Sequence, residues 1–297
     1  MDKVIIRVPA STSNLGPGFD CLGVALRIYN SVTVVRGNEQ VSSGIVDEAA
    51  RLFFKHSRVP RFSFSCAIKA IVPRSRGLGS SVTVRLGVLH ALNELCGRPL
   101  ERLSIFQLCA QLEGHPDNAA PASFGGFTVA HRGARPTFQR FKVSPRLYFV
   151  LLIPEIEVAT ERARKVLPAK ISHAGAAESC AKACTITAAF ASRNYQNLRG
   201  AFVDQFHQPF RQKLVPFLPR VIAAAEKAGA LGAFLSGSGS TICAITLQDR
   251  HKIADAMRRA AKSILAHTVI ATADNEGARL QSPVTDHNLS WVARLKI

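Results

Sequence analysis

Val82, Leu86, Leu89 and Leu92 recur at intervals of three and four residues, the spacing of one buried helix face, and predict a helix through that stretch. Leu103–Leu112 predicts a second helix, and Ala176–Ala191, Pro219–Ala228 and Lys252–Lys262 predict three more. Gly229 stands where a left-handed helix cap belongs. Strand-like runs fall at Val4–Val8, Ser31–Val35 and Ala67–Val72, and another is expected after Gly125-Gly126. A Gly/Pro-punctuated loop, Ser11–Asp20, separates the first two. Leu147–Ile153 is continuously apolar and reads as the first strand of a second domain. Leu231–Leu235, the turn Ser236–Ser240 and Ile242–Leu247 read as strand, Gly-rich turn, strand, and Thr268–Thr272 closes the series. The pattern predicts two units, residues 1–145 and 146–297, with no repeat and no low-complexity segment.

The size of 297 residues suits two modest domains, each with its own core. Hydrophobic residues make up 47% and charged ones 20%, the balance of an ordinary globular protein. The opening MDKVIIRVPA reads as a strand and not as a signal peptide, and no apolar stretch reaches membrane-spanning length, so a cytoplasmic protein is expected. Seven scattered cysteines form no CxxC pair and read as buried, reduced thiols; Cys180 and Cys184 lack the His or carboxylate neighbours of a metal site. The net charge of +18 raises nucleic-acid binding as a function. Against it, the 38 basic residues spread along the whole chain, with no RNA-binding aromatic motif, no zinc-finger spacing and no basic tail.

Residues 73–83, PRSRGLGSSVT, join the strand ending at Val72 to the helix that follows. Gly77 and Gly79 let the backbone approach a ligand closely, and the serines stand at the first free N–H groups of the helix. Such a helix start carries roughly half a positive charge and attracts phosphate. It is not a Walker A loop, because no Gly-Lys-Ser/Thr follows.

Three segments together, SNLGPGFDCLG (13–23), PRSRGLGSSVT (73–83) and LSGSGSTICAI (235–245), resemble in order and spacing the three motifs of the GHMP kinase superfamily. EGHPDNAAPASFGG (113–126), Thr160 with Arg164 in ATERARKVLP, and HQPFR (207–211) narrow the resemblance to its homoserine-phosphorylating branch, the homoserine kinases of threonine biosynthesis. The likeness spans residue 4 to about 278. It implies an α+β, two-domain GHMP kinase fold: an N-terminal domain like domain 2 of ribosomal protein S5 and a ferredoxin-like C-terminal domain, with the active site between them. It also implies Mg-ATP as phosphoryl donor and the side-chain hydroxyl of L-homoserine as acceptor. Two departures stand out. The family usually has Ala-Ala at Val82-Thr83 and Pro at Ser240, which bears on nucleotide affinity more than on the reaction.

By that resemblance the phosphates lie along Pro73, Arg74, Ser75, Arg76, Gly77, Leu78, Gly79, Ser80, Ser81, Val82 and Thr83, and Ser81 and Glu113 hold Mg²⁺. Mg²⁺ keeps several waters and takes one or two protein oxygens, so such a pair suffices. Arg164 and Arg211 would grip the homoserine carboxylate through paired hydrogen bonds. Asp20 would meet its ammonium or hydroxyl, with Asn14, His115, Thr160, Gly237 and Gly239 also at the substrate. Asn118 would orient the hydroxyl for direct attack, with the phosphate taking the proton; Asp117 as a base remains the rival assignment. Plainer roles stay open: Ser81 as a helix cap, Asn14 and Asp20 as turn formers, His115 as a structural histidine. The competing functions are a GHMP kinase for another small alcohol such as mevalonate, and a basic RNA-associated protein using the S5-like half. The sequence does not set the oligomeric state, and a homodimer is compatible with it.

Overall fold

The computed structural model describes residues 2–37, 44–133, 136–262 and 264–281. In chain order the elements are β1 (Lys3–Ser13), β2 (Leu22–Arg36), α1 (Gly44–Ser57), β3 (Phe64–Lys69), α2 (Ser80–Leu95), α3 (Arg102–Glu113), α4 (Ala119–Phe124), β4 (Phe127–His131) and β5 (Thr137–Phe141). They continue with β6 (Tyr148–Pro154), α5 (Thr160–Lys165), α6 (His173–Ser192), α7 (Gln208–Arg211), α8 (Leu218–Lys227), β7 (Gly232–Leu235), β8 (Ile242–Thr246), α9 (Arg250–Ala261), β9 (Ala266–Thr272) and β10 (Arg279–Leu280). Two antiparallel sheets result. The first runs β10-β1-β2-β4-β5 with β3 also on β2, and the second runs β7-β8-β6-β9.

The first sheet serves two cores with one set of alternating residues. Val4, Ile6 and Val8 of β1, with Val32 and Val34 of β2, pack under α1, α2 and α3. Beyond the register shift at Pro9/Ala10, the same parity turns to a different core: Ala10, Leu22, Val24 and Leu26 meet the second sheet. Pro9 has no N–H to give a ladder, so a break in pairing there is cheap. The second sheet is buried on both sides. Phe149, Leu151 and Ile153 face the shared core, while Val150 and Leu152 face α8 and α9. That double burial is why 147–153 reads as an unbroken apolar run. Phe127 of β4 and Phe190 of α6 stack at 4.2 Å between centroids inside the shared core.

The changeover between sheets falls between Phe141 and Tyr148, but the chain does not stay in the second sheet. Ile6 pairs with Leu280 and Arg7 with Arg279, so β10, expected within 146–297, returns to the first sheet. Residues 282–297 lie outside the described residues.

Other local expectations shift. β1 runs on through Ser13, where a loop was expected from Ser11, and the turn begins at Asn14 (φ 70°). β3 ends at Lys69 and not at Val72, because the Asn30 side chain takes the N–H groups of Ile71 (2.7 Å) and Val72 (2.8 Å) out of the sheet. Helix α8 is capped by Ala228, and Gly229 follows at φ 113°, positive but outside the left-handed helical well. Cys180 and Cys184 are exposed on α6, contrary to the expectation of buried thiols, while Cys109 and Cys243 are fully buried. Cys180 and Cys184 lie on the face of α6 turned away from Ile186 and Phe190.

Candidate active site

A cavity of about 650 Å³ opens where the loop before α2, the end of α3, the loop after β1, helix α5 and the β7–β8 turn converge. Of the phosphate-loop residues, Arg74, Ser75, Arg76, Gly77, Gly79, Ser80, Ser81 and Val82 line it. Pro73, Leu78 and Thr83 do not. Leu78 is buried in the shared core, and Thr83 is fully buried, accepting a hydrogen bond from Asn30 Nδ2 at 2.7 Å. The departures at Val82-Thr83 are thus absorbed largely on the inner side of α2, where Val82 packs under the first sheet. Ser240 Oγ donates to the Ile156 carbonyl, a bond that proline at this position cannot make.

Gly79 is the N-cap of α2 at φ 68°, and no side chain caps the helix. The first N–H groups of this sixteen-residue helix, at Ser80, Ser81 and Val82 on the cavity wall, have no side-chain partner among the described residues. A Cβ on Gly79 would stand 2.4 Å from Ser11 Oγ, and one on Gly77 2.0 Å from the Ser236 carbonyl. The Ser236 hydroxyl in turn donates to the Gly77 carbonyl at 2.7 Å, so the first-domain loop is keyed to the β7–β8 turn.

Helix α3 ends at Glu113 because Gly114 takes φ 78°. Ser81 Oγ donates to Glu113 Oε2 at 2.9 Å, and Arg85 Nη1 donates to Glu113 Oε1. Two oxygens about 2.9 Å apart match adjacent corners of an octahedron with bonds of about 2.0–2.1 Å, and both are hard donors, so Ser81 and Glu113 fit Mg²⁺.

On the opposite wall, Arg164 grips Asp20 bidentately, Nη1 to Oδ2 at 3.0 Å and Nη2 to Oδ1 at 2.6 Å. The residue expected at a carboxylate and the residue expected at an ammonium are thus each other's partners. Thr160, first residue of α5, lines the cavity beside them. Asn14 Nδ2 donates to the Gly237 carbonyl at 3.0 Å, and its Oδ1 accepts from the Asp20 N–H at 3.1 Å, so it serves the turn as well as the pocket. Gly237 lines the cavity, whereas Gly239 does not; it packs against Leu235.

Arg211 reaches the cavity yet is only 2% exposed. Its Nε donates to the Ala163 carbonyl (3.1 Å), and its Nη1 to the Gly237 carbonyl (2.9 Å) and to His207 Nδ1 (3.3 Å). Burial, reinforced by Arg164 nearby, pushes its pKa down to about 10. It stays charged at neutral pH. His207 is pushed down to about 4 by burial, is neutral, and donates Nε2–H to the Gly16 carbonyl at 2.9 Å. That bond selects the tautomer whose Nδ1 accepts from Arg211.

His115 Nδ1 lies 2.6 Å from Asp117 Oδ1. Burial alone would push the carboxyl up and the imidazole down, but the attraction between them wins. Asp117 is held below, and His115 above, its ordinary value. Asn118 is held at both ends of its amide: Oδ1 accepts from Ser11 Oγ (2.8 Å) and Nδ2 donates to Ser13 Oγ (2.9 Å). Ligand-type atoms of Asp20, His115 and Asp117 lie within 4.8 Å of one another.

Several contributors were not read from the sequence. Ser11 and Ser13 sit on alternate positions of β1, on the face that meets Asn118, a weak signal. Phe19 stacks on His207 (5.4 Å) and lies under both arginine guanidiniums, at 5.5 Å from Arg164 and 5.2 Å from Arg211. Arg85 follows Ser81 by one helical turn, a spacing the sequence does show.

A two-domain α/β fold whose phosphate-attracting helix start faces a charged cleft defines a small-molecule kinase of the GHMP type. Models of the GHMP kinase N-terminal domain and C-terminal domain match residues 44–126 and 186–263. The chain is 34% identical to the homoserine kinase of Caldicellulosiruptor bescii, covering 94% of this chain and 97% of that one. It is 37% identical to the homoserine kinase of a Synechococcus strain, over 87% and 89%. The solved structure of homoserine kinase from Cytophaga hutchinsonii superposes with a TM-score of 0.87 at 24% identity, covering 95% and 98% of the two chains, a likeness of fold. The chain belongs to the homoserine kinase family of the GHMP kinases.

Proposed function

We propose that this chain transfers the γ-phosphoryl group of ATP to the side-chain hydroxyl of L-homoserine, with Mg²⁺ held by Ser81 and Glu113. The observation that carries the substrate reading is the gathering of cations and an anion in one wall of the cleft: the Arg164–Asp20 pair, with Arg211 and Thr160 beside it. An amino acid with a free carboxylate and ammonium can exchange into such a pair. The carboxylate takes the guanidiniums and the ammonium takes Asp20. Mevalonate carries no ammonium to take the place of Arg164 at Asp20, so its carboxylate would have to compete with Asp20 for that guanidinium.

The open N-terminus of α2 and the backbone of 74–81 bind the phosphates, and Arg74 and Arg76 add charge at the rim. When bound, Mg²⁺ neutralises charge on the phosphate oxygens. The loose transition state needs positioning more than a base. Asp117 suits that role poorly, because its ion pair with His115 keeps the carboxylate a weak proton acceptor. Asn118, locked by Ser11 and Ser13, offers a rigid amide to orient the hydroxyl, which attacks directly while a phosphate oxygen takes its proton.

The test is ATP consumption by the purified protein with L-homoserine, L-serine, L-threonine and mevalonate, with and without Mg²⁺. Homoserine should be the fastest acceptor and O-phosphohomoserine the product. Faster turnover of mevalonate would overturn the substrate while leaving the kinase class.

A further inference from the structure

Arg85 has a place in the site that neither the phosphate loop nor the substrate pocket accounts for. It lies one turn after Ser81 on α2, so both side chains leave the same helix face. Its guanidinium bridges two carboxylates from two other helices: Nη1 donates to Glu113 Oε1 on α3, and Nη2 to Glu48 Oε2 on α1 at 3.0 Å. The Arg85 and Glu113 side chains are 15% and 8% exposed, against 47% for Glu48. Among the described residues, Arg85 Nε is buried without a partner. An orphaned buried N–H costs stability, which is tolerable when the rest of the guanidinium is held for another purpose.

The division of Glu113 is the informative detail. One carboxylate oxygen is taken by Arg85, and the other is left 2.9 Å from Ser81 Oγ, facing the cavity. A carboxylate free to rotate would present either oxygen, or both, to a cation. We propose that Arg85 is a positioning residue for the divalent cation: it pins Oε1 of Glu113 and so presents Oε2 beside Ser81, with Glu48 anchoring the guanidinium from behind. The inference rests on the reading of Ser81 and Glu113 as the Mg²⁺ pair. Repulsion between guanidinium and cation opposes it, but the carboxylate lies between them and screens it. Partners behind metal ligands typically change affinity by roughly 10–100-fold when removed.

The test uses Mn²⁺ as a spectroscopic stand-in for Mg²⁺, titrated into the full chain with saturating ADP and followed by electron paramagnetic resonance. The proteins are wild type, Arg85→Gln, Arg85→Lys, Glu48→Gln, Glu113→Gln and Ser81→Ala. Arg85→Gln should weaken Mn²⁺ binding roughly 10–100-fold, Arg85→Lys less, and Glu48→Gln by a few-fold, with ADP affinity in the absence of metal unchanged. Unchanged or tighter Mn²⁺ binding in Arg85→Gln, beside a loss in Glu113→Gln, would overturn the positioning role and keep the metal pair. If Glu113→Gln and Ser81→Ala were also unchanged, the metal pair itself would fall. Melting curves without metal report whether Arg85→Gln folds. If it does not, the half-exposed Glu48→Gln carries the test: a few-fold loss supports the proposal and no change overturns it.

Discussion

Arg164 and Asp20 stand 144 positions apart and form a two-bond guanidinium–carboxylate pair in the wall of the cleft. Arg164→Lys keeps the charge but cannot make both parallel bonds. A hydrogen bond to a charged group is worth about 1.5–3 kcal/mol, so kcat/KM for homoserine should fall roughly 10–100-fold. Nucleotide affinity measured without homoserine should stay nearly constant, because the phosphate loop lies in the other part of the chain. Arg258→Lys, at a side chain 60% exposed on α9, is the control and should change neither. Equal loss of ATP affinity in Arg164→Lys would place the residue on the wrong ligand.

The His115–Asp117 pair carries a pH dependence of stability whose sign is set by the two shifts. His115 is raised above 6.5, so its contribution is complete below that value and is lost as pH climbs through the higher folded value. Asp117 is lowered below 3.8, so its contribution holds above that value and disappears only in stronger acid. His115→Gln should cost about 3 kcal/mol near pH 6 by leaving a buried carboxylate without its cation. The gap between wild type and variant should narrow as pH rises above 6.5. Urea melts at pH 6, 7, 8 and 9 measure it, and a constant gap would show that the pair is not ionic.

Gly77 joins the phosphate loop to the β7–β8 turn. At φ 72°, alanine there costs about 1–2 kcal/mol from backbone conformation alone, and its Cβ would fall 2.0 Å from the Ser236 carbonyl and 2.9 Å from the Gly239 nitrogen. Both are backbone atoms and cannot swing aside. Gly77→Ala should therefore lose both stability and at least about tenfold in ATP affinity. Gly97→Ala strains the backbone similarly, at φ 75°, but meets nothing within 4 Å and should leave ATP affinity intact.

Arg211 is as much a structural as a binding residue. Arg211→Lys would leave the Ala163 and Gly237 carbonyls and His207 Nδ1 competing for one ammonium, at about 1–3 kcal/mol for each buried group left unpaired. The melting temperature should drop along with homoserine turnover. Loss of turnover with an unchanged melting curve would mean that these buried bonds contribute little.

The helices α2 and α3, the strand run at 147–153 and the phosphate loop were legible in the sequence because their signals are local: periodicity, continuous apolarity, and glycines ahead of a helix. The resemblance to homoserine kinases was legible for a related reason, since its motifs are short strings. Helix α1 is also written in the chain, with Val46, Ala49, Ala50, Phe53 and Phe54 on its buried side. What the tertiary structure alone decided is which charges meet. Nothing near Asp20 names Arg164 as its partner, nothing near Glu113 names Arg85, and the HQPFR string that marks Arg211 does not show its burial or its bonds to the Ala163 and Gly237 carbonyls. The return of β10 to β1 is of the same kind, because a two-residue strand has too little pattern to declare its neighbour. Local propensity is set by adjacent residues, whereas an ion pair or a sheet edge is set by distances that only the folded chain brings within reach.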